Sequence, residues 1–284
     1  MPKLSIITVN KDNADGLKKT IESIKLQIRD DCELIIIDGG SCDISVDILT
    51  YNSQNINYWI SEPDHGIYEA MNKGIRKANG EYLLFLNSGD CFNDGSIIEK
   101  FVGSNPVEDI VAGDLIIKHI EDSDRLEIKK SPETITLKYL ISDYLPHSGT
   151  FIKRSLFNKV GLYNENNKIV SDWEFFLKAF LIHNASYRHL PFPVSIFKTD
   201  GISCKPENAD LIKNEKLKVL NESFPDLLKG YNYITETYDK SKENDLNIGS
   251  RYYRLLKKKC ISPVYNIVNE IFIRVSNSYS KYSE

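Results

Sequence analysis

The sequence predicts an α/β fold built on a mostly parallel sheet that is flanked by helices and buried on both faces. Two observations carry this. Over the first hundred residues, short apolar runs of strand length alternate with stripes of helical period. The runs are also nearly continuous in apolar character, which marks strands covered on both sides.

Taken in order, Leu4 to Val9 (LSIITV) is the first strand, and Leu17, Ile21, Ile24 and Ile28 recur at helical steps after it. Glu33 to Asp38 (ELIIID) is a second β-branched run, stopped by Gly39 and Gly40. Ile44 to Leu49 starts a short helix and Tyr58 to Ser61 a third strand. Ile67, Met71 and Ile75 form one helical stripe, and the Asn79-Gly80 pair after it suits a left-handed C-terminal cap. Tyr82 to Leu86 (YLLFL) is the fourth strand. Beyond Asp90 the alternation weakens. Asp109 to Ile117 and Gly149 to Ile152 read as strands, Asp172 to Ile182 as a helix, and Tyr187 to Phe197 as a strand interrupted by Pro191 and Pro193. From Lys205 the text is helical and polar, with a break around Lys240 to Asn247.

Composition narrows the function classes. The 284 residues are 41% hydrophobic and 27% charged, as in a globular protein with a sizeable core. A net charge of −4 argues against a general nucleic-acid binder, whose affinity rests on neutralising phosphates. Five cysteines without a C-x-x-C pair fit neither a disulfide framework nor a zinc ribbon. The N-terminus lacks the pattern of a signal peptide, and no window reaches the roughly 18 apolar residues of a membrane span. A cytoplasmic protein is expected. The charge is uneven: Arg251 to Glu284 hold 7 basic and 2 acidic residues, +5, which leaves −9 on the first 250.

In parallel sheets ligands bind beyond the carboxyl ends of the strands. Here those ends are Asn10, Asp38, Glu62 to His65, and Asn87 to Asp90, and polar or acidic residues close all four. Asp38 before two glycines reads either as a turn carboxylate or as a group aimed at a nucleobase or ribose. No G-x-G-x-x-G or Walker A run is present. Asn87-Ser88-Gly89-Asp90 is a common turn composition, and its single carboxylate would also suit a divalent cation carried in by a diphosphate. Asp172, at the start of a helix, could serve both as a cap and as a general base kept ionised by the helix dipole. His147, in PHSGT, is a single histidine of the kind that is more often structural than catalytic. No G-x-S-x-G or H-E-x-x-H run points to a hydrolase.

SIITVN, ELIIIDGGSCD, SEPDHGIYEAMNKGIRKANGEYLLFLNSGD, PHSGTF and VSDWEFFLKAF occur in that order between Leu4 and Ser203. Together they resemble a family 2 glycosyltransferase of the GT-A fold, of the bacterial type that builds capsule, O-antigen or exopolysaccharide. The resemblance implies a catalytic domain over 1–204, with a nucleotide-binding half (1–100) and an acceptor-binding half (101–204), followed by a helical extension over 205–284. It implies that Thr8, Val9, Asn10, Asp38, Asp64, Gly66, Asn72, Lys73, Ser88 and Gly89 border the nucleotide. It places a divalent cation, Mn²⁺ or Mg²⁺, on Asp90. The family's D-x-D element is reduced here, with Asn87 for the first Asp and Gly89 for the middle one. Its G-G-I-S loop reads Asp200-Gly201-Ile202-Ser203. Asp172 matches the catalytic base, and His147 and Trp173 are expected near the acceptor or the diphosphate.

The expected activity is therefore an inverting transfer of a sugar from a nucleotide sugar, such as a UDP-sugar, to a hydroxyl of a lipid-linked or growing surface glycan. A non-catalytic nucleotide-sugar-binding subunit of a glycan-assembly complex is the alternative, and the presence of Asp172 speaks against it. In the tail, five cations in RYYRLLKKK precede Ile261, Val264, Tyr265, Val268, Ile271, Phe272 and Val275, one helical face. That face would pack on the catalytic domain or a second subunit, or would bind the inner surface of the membrane through residues 251–275.

Overall fold

The structure is a computed structural model that describes residues 1–119, 125–199 and 201–228. The chain divides into two compact units, Met1–Glu215 and Lys216–Glu284. Residues 251–275 and the break near residue 240 lie outside the described residues, as does Asp200.

The first unit begins with β1 (Leu4–Asn10), α1 (Ala14–Lys25), β2 (Cys32–Asp38), α2 (Ser45–Tyr51), β3 (Tyr58–Ser61), α3 (Ile67–Lys77) and β4 (Tyr82–Phe85). It continues with β5 (Cys91–Phe92), α4 (Ile97–Gly103), β6 (Ile110–Lys118), β7 (Leu126–Lys129), α5 (Leu137–Ser142), β8 (Thr150–Lys153), α6 (Arg154–Val160), α7 (Ser171–Leu181) and β9 (Tyr187–Lys198). A last helix, α8 (Ala209–Ser223), crosses the boundary between the units. The Asn13 side chain caps α1 by accepting the Gly16 amide at 3.1 Å.

The sheet order is β3-β2-β1-β4-β8-β6-β9-β5, with β7 on β6. Strands β3, β2, β1 and β4 are parallel, so the chain winds to one side of β1 and then to the other. That reversal opens a crevice at the carboxyl ends of β1 and β4. The strands bury both faces as their composition predicts. Leu4 and Ile6 of β1 pack into a core with Leu17, Ile21 and Ile24 of α1. Ile7 and Val9 pack into the opposite one with Met71 and Ile75 of α3.

The second half departs from a parallel reading. β8 runs antiparallel to both β4 and β6, and β7 and β5 run antiparallel to their neighbours, while β9 is parallel to β6. Apolar runs report burial, not strand direction, so this mixture left no local signal. Pro191 and Pro193 do not break β9, because the β6–β9 register shifts on either side of Asp114 and absorbs them.

The Asn79-Gly80 cap is not formed. Helix α3 ends on an extended Ala78 (φ −67°, ψ 135°), and Gly80 is not among the positive-φ residues. Gly80 is needed for a different reason: a Cβ there would lie 2.5 Å from the backbone nitrogen of Ser5 on β1. Its amide also donates to Ser5 Oγ at 2.8 Å. Since β1 backbone cannot retreat, Gly80→Ala is expected to cost ~1–3 kcal/mol in urea unfolding. Wild-type stability in that variant would show that the strand yields.

Candidate active site

Turn Asn87–Asp90 follows β4, and Asp90 N closes it on Asn87 O at 2.9 Å. Gly89 sits at φ +104°, a conformation that disfavours a side chain, so the residue that thins the acidic motif is also the one this turn requires. Helix α1 secures the turn. Gly89 N donates to Thr20 Oγ1 at 3.0 Å, which in turn donates to Asp90 O at 2.7 Å. Asn13 Nδ2 donates to Ser88 O at 3.0 Å.

Beside the turn lies a cleft of about 630 Å³. Of the residues singled out from sequence, Val9, Asn10, Asp64, Gly66, Ser88, Gly89, Asp90 and His147 line it. Burial raises the Asp64 carboxyl above its ordinary range, against the nearby Lys11 and Lys73 charges.

The other sequence-derived residues stand behind the cleft wall or outside it. Thr8 is fully buried and donates Oγ1 to Leu86 O at 2.8 Å. Asp38 is fully buried as well, and both its oxygens are occupied. Oδ1 accepts from Asn10 Nδ2 at 2.7 Å and Ser41 Oγ at 2.6 Å. Oδ2 accepts from Ser61 Oγ at 2.6 Å and the Ser41 amide at 2.9 Å. Burial alone would raise this carboxyl, but the bonds from Ser41, Ser61 and Asn10 outweigh it and hold it below its ordinary range. Asp38 thus shapes the cleft through Asn10. The Asn10 Nδ2 is fixed by Asp38, Ser41 and Ser45, while Oδ1 is buried with no partner among protein atoms. Asn10 lines the cleft with its amide nitrogen already consumed by this network.

Asn72 fastens α3 to the loop ahead of α7 by exchanging hydrogen bonds with the Tyr163 backbone at 2.9 and 3.0 Å. Lys73 pairs with Glu62 at 2.9 Å and Glu69 at 3.1 Å. Trp173 is buried and donates its indole N–H to Leu140 O at 2.7 Å. None of these three lines the cleft.

Asp172, in the first turn of α7, is half-buried, and its neighbours connect it to the cleft. The Tyr68 hydroxyl, with one proton for two acceptors, lies 2.5 Å from Ile169 O and 3.0 Å from Asp172 Oδ1. His147 Nδ1 lies 3.5 Å from its Oδ2. The other His147 nitrogen, Nε2, is 3.1 Å from Asn87 Nδ2. Burial pushes the Asp172 carboxyl up, and the His147 and Tyr68 contacts overcome that and hold it below its usual range. Burial lowers the His147 pKa, but the bond and charge of Asp172 raise it overall. Asp172 is therefore ionised at neutral pH. A neutral His147 gives its Nδ1 proton to Asp172 and accepts from the Asn87 amide. An imidazolium instead needs an acceptor at Nε2, and Asn87 Oδ1, buried without a partner, supplies one on a half-turn of the amide. The His147–Asn87 pair thus accommodates either protonation state.

Sequence reasoning did not single out Tyr68, Lys11 or Lys198. Tyr68 lies within the quoted I-Y run but reads locally as a core aromatic. The two lysines reach the cleft from β1 and β9, and only the fold brings them together.

A mixed α/β sheet that reverses direction beside a cleft, with an ionised aspartate behind it, fits the GT-A transferase class that the sequence resembles. Comparison with known proteins agrees. Residues 5–161 match the family described as Glycosyl transferase family 2, and the chain belongs to that family. An uncharacterized glycosyltransferase of Mycobacterium tuberculosis is 35% identical over 188 residues, 64% of this chain and 70% of its own. A PGL/p-HBAD biosynthesis glycosyltransferase of Mycobacterium bovis is 30% identical over 192 residues, 63% and 70% of the two chains. Among solved structures, residues 1–349 of Staphylococcus aureus TarS share the fold at TM-score 0.59 and 18% identity, over 78% of this chain and 66% of that one. The Pyrobaculum calidifontis mannosyltransferase PcManGT, in complex with GDP-Man and Mn²⁺, has a TM-score of 0.54 at 14% identity over 99% and 88%. Among the described residues no helix is long and apolar enough to cross a membrane.

Proposed function

We propose that this chain transfers a sugar with inversion from a UDP-sugar to a hydroxyl of a bacterial glycan acceptor, with Asp172 as the base. The observation that carries this reading is the ionised Asp172, tied through His147 to the turn at the β4 end of the cleft. A carboxylate in that state can accept the hydroxyl proton as the oxygen attacks the anomeric carbon. The diphosphate then leaves from the opposite side. Lys11 and Lys198 on the cleft wall suit its charge. A TarS structure solved with UDP-GlcNAc shares this fold, at TM-score 0.58 and 18% identity. Release of UDP from a panel of UDP-sugars, with and without a polyprenyl-linked acceptor, tests the assignment. Failure of every UDP-sugar while a GDP-sugar turns over would overturn the choice of base.

The divalent cation expected from the family fits in a restricted sense. Among the described residues no group of three or more His, Cys, Asp or Glu could hold an ion alone. Asp90 and the partnerless Asn87 Oδ1 are hard oxygen donors that suit Mn²⁺ or Mg²⁺ arriving with the diphosphate, whose own oxygens complete the shell. Such an ion would neutralise charge on the leaving group. Calorimetry is expected to show UDP affinity rising with Mn²⁺ and Asp90→Ala removing that rise. Equal binding by wild type in EDTA would make the site metal-independent.

The acceptor is lipid-linked in this reading, and the basic, amphipathic tail favours the membrane surface, each cation adding ~1 kcal/mol near anionic lipid. The full chain is expected to sediment with anionic vesicles at low salt and to be released at high salt. Deleting 251–284 should abolish sedimentation and leave UDP binding intact. A full chain that ignores the vesicles, or a truncated one that changes oligomeric state, would assign the tail to packing instead.

A further inference from the structure

The segment before α7 is held from two sides. On one side the Tyr68 hydroxyl offers its one proton to the Ile169 carbonyl or the Asp172 carboxylate, at 2.5 and 3.0 Å. From the other side, Glu215 on α8 accepts three consecutive backbone amides: Oε1 takes Lys168 N at 2.7 Å, and Oε2 takes Ile169 N at 3.0 Å and Val170 N at 3.3 Å. Glu215 is 8% exposed, and the N-cap of α7, Val170, provides no side-chain cap of its own. The amides of 168–170 lie ahead of Ser171, the first helical residue of α7, and one buried carboxylate satisfies all three through charge-assisted bonds.

We propose that Glu215 is a positioning residue for the transfer reaction, fixing segment 168–172 and with it the direction of the Asp172 carboxylate. The proposal rests on the reading of Asp172 as the base. Glu215 itself is no candidate for proton transfer: its two oxygens accept three backbone amides, whereas Asp172, also behind the cleft lining, meets the cleft residue His147 directly. Glu215 also lies beyond residue 161, where the family match ends. A misplacement of about 1 Å at a reacting group can cost about 10²-fold in rate, and three amides released from one anchor permit a shift of that size.

The test uses the full-length chain with Glu215→Ala and the isosteric Glu215→Gln, which keeps one acceptor oxygen but turns an NH₂ toward backbone N–H. Hydrogen exchange of the 168–170 amides is expected to speed up about tenfold in both, with strand amides of β1 and β2 unchanged. On the UDP-sugar that the donor panel selects, kcat is expected to fall about 10–100-fold while the Kd for UDP stays within about twofold. Adding Glu215→Ala to Asp172→Asn should cost nothing further, since a base already removed cannot be misplaced. Unchanged exchange, an unchanged kcat, a loss that multiplies with Asp172→Asn, or unfolding of both variants would each overturn the tether as a positioning device. If Asp172→Asn alone keeps full turnover, the base assignment fails instead. If no nucleotide sugar turns over, the transferase reading fails and the exchange rates still decide whether Glu215 holds the segment.

Discussion

Asp172→Asn is expected to bind UDP as the wild type does and to turn over about 10²–10⁴-fold more slowly, the usual loss on removing a general base. The substitution is nearly isosteric. It keeps an acceptor for Tyr68 and His147, so the bonds at 3.0 and 3.5 Å can persist, while the capacity to take a proton is lost. Single-turnover transfer, measured beside UDP calorimetry, separates the two effects. A rate near that of the wild type would remove Asp172 from the chemistry and revive a purely binding role for the cleft. The pH profile adds a check. His147 and Tyr68 depress the carboxyl against the effect of burial, so the acid limb of kcat should fall below the ordinary carboxylate value of ~4. In His147→Ala the first of those lowering contacts is gone, and the limb should move to higher pH.

Asp38→Ala is expected to destabilise the protein by ~3–5 kcal/mol, as breaking a buried charged network does. It leaves the side chains of Asn10, Ser41 and Ser61 without the acceptor around which they are arranged. The sign of the pH dependence follows from the lowered pKa. Unfolded, the carboxyl binds a proton more readily than it does when folded. Its contribution is therefore complete above the unfolded value and is lost as pH falls through the folded one. Urea unfolding from pH 7 down to pH 3 should show a smaller acid loss in Asp38→Asn than in wild type, because Asp172 and other lowered carboxyls still titrate while position 38 has no proton to gain. If Asp38→Ala keeps wild-type stability but loses UDP binding, the residue contacts the nucleotide directly, as the family resemblance implies.

Much of the nucleotide half was legible in the sequence. Strands β1 to β4 and helices α1 to α3 announce themselves because apolar runs and helical stripes alternate regularly along this half. The strand-end residues Asn10 and Asp90 reach the cleft because the carboxyl ends of parallel strands share one edge. Elements β5, α4, β7, α5 and α6 were not read: beyond Asp90 the alternation that frames the short elements of the first half weakens, and β7 is largely exposed.

Local pattern fixes what a residue can be, a strand-end carboxylate or a helix-cap aspartate. It does not fix which other groups share its environment. That Asp38 faces inward onto Asn10 and two serines, that Asn87 meets His147 and through it Asp172, and that Glu215 reaches back to the amides of 168–170 are contacts between segments distant in the chain. Such pairings carry no period and leave no mark on neighbouring residues. The sequence by itself determined the family, the parallel half of the sheet and the edge where a ligand would sit. Only the tertiary structure decided which acidic groups are open to that ligand and which are already consumed in holding the site together, because burial and hydrogen-bond saturation are properties of the packed chain.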